Sequence, residues 1–140
     1  MLRGACVAAM AVAATGCGSS PITSIRIDAA IQSTFANLVE LQLSRLGLPP
    51  MAASDFAVTA ICHKQAAGSN EGSGEWVCTL VWRGPGRRAL HDTYDLFVGT
   101  DGCYTATVSG ESLGGPTLKA PDGSDVRNLL YRFEGCFDTT

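Results

Sequence analysis

Between residues 24 and 46 the apolar positions recur every three or four residues: Ile27, Ile31, Phe35, Leu38 and Leu46, widened by Val39 and Leu43. Gln32, Asn37, Glu40, Ser44 and Arg45 fall largely outside that stripe, so the segment predicts one long amphipathic helix. Ser24 is the expected N-cap, and Gly47 followed by Pro49-Pro50 is the expected stop. The polar side lacks the Lys/Arg enrichment of helices that lie on membranes. The stripe is therefore expected to cover the protein's own sheet.

After the Pro-Pro break the period changes to two. Phe56, Val58, Ala60 and Cys62 alternate with Ala57, Thr59, Ile61 and His63, and Trp76, Cys78, Leu80 and Trp82 alternate with Val77, Thr79 and Val81. The polar run KQAAGSNEGSG separates the two segments and predicts a hairpin centred near Asn70. In that register Val58 faces Trp82, Ala60 faces Leu80, and Cys62 faces Cys78 on the apolar side. A bridge there closes a loop of about 15 residues, for which the chain-entropy model gives roughly 3 kcal/mol.

A second hairpin is expected around Thr100-Asp101-Gly102. A two-residue turn would set Leu96 and Val98 against threonines. A three-residue turn with Gly102 left-handed sets Tyr94, Leu96 and Val98 against Val108, Ala106 and Tyr104, which makes one apolar face. The bulged turn is therefore expected. Farther on, Gly114-Gly115-Pro116 breaks the chain and Pro121-Asp122-Gly123 signals a turn. Val126, Leu129, Leu130 and Phe133 fit a short helical turn ended by Gly135, whereas Leu129, Tyr131 and Phe133 fit a strand almost as well. The helical turn is the preferred reading.

Composition changes the picture chiefly through cysteine and charge. Arg3 followed by the apolar stretch Gly4–Ala14 has the layout of an export signal, and the stretch is too short to span a bilayer. Ala14-Thr15-Gly16-Cys17 resembles the lipobox of bacterial lipoproteins. The resemblance implies a diacylglyceryl group on the Cys17 thiol and cleavage before it. Residues 1–16 then form the signal peptide, 17–23 a lipidated cysteine and flexible tether, and 24–140 one extracytoplasmic domain. Ordinary cleavage would instead give a secreted protein.

Of six cysteines, Cys6 leaves with the signal and Cys17 carries the lipid. Cys62, Cys78, Cys103 and Cys136 remain, and in an oxidising compartment two disulfides are expected. Once Cys62 and Cys78 are paired, elimination leaves Cys103 with Cys136; the other two connectivities stay open. Losing Arg3 takes the side-chain charge from −3 to −4. A mildly acidic domain carries no electrostatic footprint for nucleic acid, and no polybasic strip is present to grip anionic lipid.

The candidate chemistry is sparse. Gly110-Glu111-Ser112-Leu113-Gly114 matches the G-x-S-x-G elbow, but no helical pattern follows it, and His63 and His91 both precede Ser112 in the chain. His91-Asp92 invites a base with its orienting carboxylate, yet adjacent strand residues point to opposite faces. Cys62-His63 with Cys78 lacks metal-site spacing, and a disulfide would consume its sulfurs. No metal, cofactor or catalytic residue is expected.

Two contact candidates remain. Trp76, Trp82 and Tyr94 would line a pocket between helix and sheet, although core packing is their commoner use. Arg83, Arg87 and Arg88, around Gly84-Pro85-Gly86, would offer an anionic partner or lipid head group the one basic turn on the chain.

The expected fold is α+β: a long N-terminal helix on an antiparallel sheet of four to five strands, held by two disulfides. Its organisation resembles small lipoproteins of high-GC Gram-positive bacteria, a resemblance that implies no activity. The function expected is a non-enzymatic binding module tethered to the outer face of the cell membrane, with an envelope protein as its partner. A small-ligand binder is the alternative, and a hydrolase using Ser112 or His91 a more distant one.

Overall fold

A computed structural model describes residues 20–66 and 68–140. The expected leader, Cys17 and the first part of the tether lie outside the described residues. Helix α1 spans Ser24–Arg45 and buries Ile27, Ile31, Phe35, Val39 and Leu43, as the stripe predicts. Leu38 and Leu46 are half-buried at its rim, and Gln42 joins the buried stripe. Thr23 rather than Ser24 is the N-cap: its backbone is extended, and its hydroxyl accepts the Arg26 N–H at 3.4 Å. At the other end Gly47 takes φ 68°. Its N–H reaches Ser44 C=O, and Leu48 N–H reaches Leu43 C=O, both at 3.0 Å. These two bonds form the left-handed stop that a glycine permits.

The ordered body also begins earlier than residue 24. Ile22 is buried, its carbonyl accepts the Gly72 N–H at 2.8 Å, and Thr23 forms a bridge with Glu71. Ile22 and Thr23, expected in the tether over 17–23, therefore belong to the domain instead, while residues 17–19 lie outside the described residues.

The strands are β1 (Thr59–Lys64), β2 (Gly74–Arg83), β3 (Ala89–Val98), β4 (Cys103–Ser109), β5 (Thr117–Lys119), β6 (Asp125–Arg127) and β7 (Arg132–Cys136). Five of them form an antiparallel sheet in the order β1-β2-β3-β4-β7, and β5 pairs with β6 as a separate small hairpin. Both predicted registers hold: Ala60 faces Leu80 and Cys62 faces Cys78, while Tyr94, Leu96 and Val98 face Val108, Ala106 and Tyr104. Gly102 is left-handed at φ 79°, and a Cβ there would stand 2.6 Å from the Phe137 carbonyl oxygen.

Two local expectations are corrected. Phe56 lies not in the first strand but in a 3-10 turn, Ala53–Phe56, and left-handed Ala57 (φ 44°) separates it from β1. Val58 likewise precedes the strand and is half-buried.

Over 126–133 the helical turn gives way to the end of β6, a bend and the start of β7. The bend is held from outside. Asn128 Nδ2 donates to the carbonyls of Leu113 and Gly115 at 2.8 and 2.9 Å, and Leu129 N–H donates to Gln42 Oε1 at 2.6 Å. Gly135, expected as a helix stop, sits within β7 against the Tyr104 ring, where a Cβ would come within 2.5 Å of the phenol oxygen.

Both disulfides form between residues directly opposite across neighbouring strands, Cys62–Cys78 and Cys103–Cys136. They lie on opposite faces of the sheet. Cys62 and Cys78 alternate in phase with the buried residues under α1, whereas Cys103 and Cys136 are out of phase with buried Tyr104 and Phe133. Stable disulfides of this kind fit an oxidising, extracytoplasmic compartment.

Helix α1 touches both edge strands and so crosses the whole sheet. At the β1 edge the Asp28 carboxylate accepts the outward Cys62 N–H at 2.8 Å, and Asn70 Oδ1 accepts that of Lys64 at 3.2 Å. Outward donors on an edge strand are templates for unwanted pairing, and here two are occupied. Among the described residues no helix is long and apolar enough to cross a membrane.

Candidate functional site

The space between helix and sheet is filled by side chains. Trp76 and Tyr94 are 0% exposed and Trp82 5%. The Phe35 ring, from α1, meets Trp82 and Tyr94 edge-on at centroid distances of 5.2 and 5.9 Å. Phe56 and Phe133 extend this cluster to 6.3 Å from Trp82 and 5.3 Å from Tyr94. Such edge-to-face pairs are worth roughly 0.5–1.5 kcal/mol each beyond the area they bury. The preferred reading of these aromatics as core residues holds, and the alternative, a ligand pocket lined by Trp76, Trp82 and Tyr94, is corrected: their neighbours in the fold occupy the room a ligand would need.

Their polar atoms are satisfied internally. Trp76 Nε1 donates to Gly72 C=O at 3.1 Å, Trp82 Nε1 to Asp92 Oδ2 at 2.7 Å, and Tyr94 OH to Leu130 C=O at 2.6 Å. Burial, and then the nearby Asp92 charge, push the Tyr94 phenol well above its ordinary range, so it stays a neutral donor. Tyr104 OH donates to Thr34 Oγ1 at 3.0 Å, and burial raises its pKa while that hydrogen bond lowers it.

Asp92 is a buried carboxylate that the sequence flagged only as a neighbour of His91. Its second oxygen accepts the Ser112 hydroxyl. His91 is exposed on the other face of the sheet, as strand alternation predicts. Among the described residues Ser112 therefore meets an acid but not a histidine, unlike the serine of a Ser-His-Asp triad. His63 is likewise exposed, facing away from the Cys62–Cys78 bridge.

The arginines lie elsewhere. Arg83 ends β2, and a five-residue loop carries the chain from it to Ala89. Arg87 N–H closes on Gly84 C=O at 3.0 Å, with Pro85 and Gly86 (φ 79°) at the turn's centre. Arg87 itself is left-handed at φ 62°. This loop approaches the 3-10 turn that follows α1. Between them lies a cavity of about 500 Å3 lined by Met51, Ser54, Asp55, Ala57, Arg83 and Arg87. Arg88 is exposed on the same loop but does not line the cavity.

Arg83 and Arg87 are exposed, and among the described residues neither side chain has a hydrogen-bond or ion-pair partner. Asp55 is already engaged, since its Oδ2 accepts the Ala52 N–H at 3.1 Å. The sequence singled out the arginines. It missed Met51, Ser54 and Asp55, which come from a segment about thirty residues upstream, and the only signal for them was the Pro-Pro break.

No family model matches the chain, and no curated protein or solved structure matches it.

Proposed function

We propose that the protein is a lipid-anchored binding module of the cell envelope, held by Cys17 at the outer face of the membrane and presenting a disulfide-locked domain to a partner. The observation that carries this reading is the polarity of the domain. The described chain starts at Ser20, beside Glu71 in the loop between β1 and β2, where Ser20 N–H reaches Glu71 Oε2 at 3.4 Å. The arginine loop stands at the opposite end of β2, ten residues along. At about 3.3 Å per residue the two ends are roughly 30 Å apart.

Cys17 precedes Ser20 by three residues, a reach of about 10 Å fully extended. On this reading an anchor at one pole would leave the cationic cavity at the other, turned away from the bilayer. The lipobox-like residues Ala14-Thr15-Gly16-Cys17, the two bridges and a core closed by its own aromatics support the same reading.

The test is fractionation with metabolic fatty-acid labelling of the wild type and a Cys17→Ser variant. The wild type is expected labelled and in the membrane fraction, and the variant unlabelled and released. A wild type that is unlabelled and free of the membrane contradicts the anchor.

A further inference from the structure

Two depressions meet at the 3-10 turn. The cationic cavity shares Ser54 and Ala57 with a neighbouring groove of about 430 Å3 that runs along the polar side of α1 past Gln32, Ser33 and Asn37. On one side of Ser54 stand two exposed guanidinium groups without partners among the described residues; on the other lies a groove walled largely by alanines, with the Gln32 and Asn37 amides at its helix side. The protein's two non-glycine residues with left-handed backbones among the described residues, Ala57 and Arg87, both line the cavity. Backbone strain of this kind persists where the surrounding structure holds a particular arrangement in place.

We infer that this pair of depressions is a binding site for an extended acidic peptide, with one carboxylate side chain held by Arg83 and Arg87 and the adjoining backbone laid along the groove. Guanidinium groups offer planar forks that match a carboxylate, and an acidic side chain brings opposite charge to two arginines that make no ion pair among the described residues. Asp55 stands in the same wall, so a singly charged carboxylate meets less repulsion there than a dianionic phosphate. Gln32 and Asn37 each carry a donor and an acceptor on one side chain, the combination that pairs with peptide N–H and C=O groups. A lone inorganic anion would leave the groove unused. A lipid head group of the anchoring membrane lies at the wrong pole.

The inference names the chemistry of the partner in the envelope-binding reading and rests on that reading only for the direction in which the site points. It is tested separately from the anchor. The full chain in non-ionic detergent is titrated into dye-labelled tetraglutamate and read by fluorescence anisotropy. Tetraglutamine, inorganic phosphate and phosphatidylglycerol carried in mixed micelles of the same detergent serve as competitors.

Saturable binding of tetraglutamate is expected, with weak competition from the other three. Arg83→Gln and Arg87→Gln should each weaken it about tenfold. Asn37→Ala should weaken the peptide but not free acetate, and Arg88→Gln should leave both unchanged. Thermal melting of each variant shows that it is folded. Equal competition by phosphate or by the phosphatidylglycerol micelles overturns the inference. So does tetraglutamate binding that survives both cavity variants, or no binding by a folded wild type.

Discussion

The Ser112 hydroxyl donates to the Asp92 carboxylate, tying the loop after β4 to the middle of β3. The bond explains a G-x-S-x-G segment without a strand–turn–helix context. Asp92 is buried, its other oxygen is held by Trp82, and Ser112 satisfies the remaining one. A hydrogen bond to a charged group contributes about 1.5–3 kcal/mol. Ser112→Ala is expected to lower unfolding stability by that amount in a denaturant titration. The wild-type protein should stay unlabelled by a fluorophosphonate probe; stoichiometric labelling at Ser112 would contradict the structural role.

The two bridges should differ in how readily they open. Cys62 and Cys78 are buried beneath α1, whereas Cys136 is exposed and Cys103 half-buried on the open face. Graded reduction followed by alkylation and peptide mass mapping should therefore mark Cys103 and Cys136 first. Their sequence separation is 33 residues against 16 for the other pair, and chain-entropy reasoning gives roughly 3.7 against roughly 3 kcal/mol. The more accessible bridge is thus also the one whose loss costs more.

Local pattern carried the helix and the two hairpins well. The helical stripe located α1, and the two hairpin registers followed from keeping apolar residues on one face, which also placed Cys62 opposite Cys78. Where the pattern failed, the deciding forces came from elsewhere in the chain. Leu129, Leu130, Tyr131 and Phe133 suit either period. The choice is made by Asn128 bonding to Leu113 and Gly115, and by Gln42 reaching Leu129 from α1. Phe56 reads as a strand residue because Ala57 gives no sign in its side chain of the left-handed turn it adopts. The arginines were visible as a charge cluster. The cavity beside them was not, because the fold brings its other wall from the segment after α1.

Asp28 provides a pH-dependent check on the capped β1 edge. Burial raises its pKa above the ordinary value of 3.8, and the Cys62 N–H only partly offsets this. The folded state therefore binds the proton more readily than the unfolded chain. Asp28's contribution is most favourable below pH 3.8 and diminishes as pH rises through the folded-state pKa. Asp28→Asn keeps an acceptor for Cys62 and removes the charge. The variant should gain on the wild type at neutral pH, with the gain shrinking on acidification. A gain that grows as pH falls would contradict the burial argument.

Arg87 should separate stability from binding. An L-residue in the left-handed region carries a strain of about 1–2 kcal/mol, part of which a glycine returns through the greater freedom of its unfolded chain. Arg87→Gly is expected to be more stable than the wild type by roughly 0.5–1 kcal/mol in thermal or urea unfolding. The same variant should lose affinity for tetraglutamate. A loss of stability would mean that the Arg87 side chain holds the loop rather than a ligand.

Intact-mass spectrometry of the native protein extracted from membranes, alkylated before and after reduction, addresses the anchored, disulfide-locked reading most directly. The account predicts a chain beginning at Cys17, heavier by an acyl modification, with no alkylatable thiol before reduction and four after it. A chain that retains Met1, carries no acyl mass and alkylates at six cysteines without reductant would contradict it.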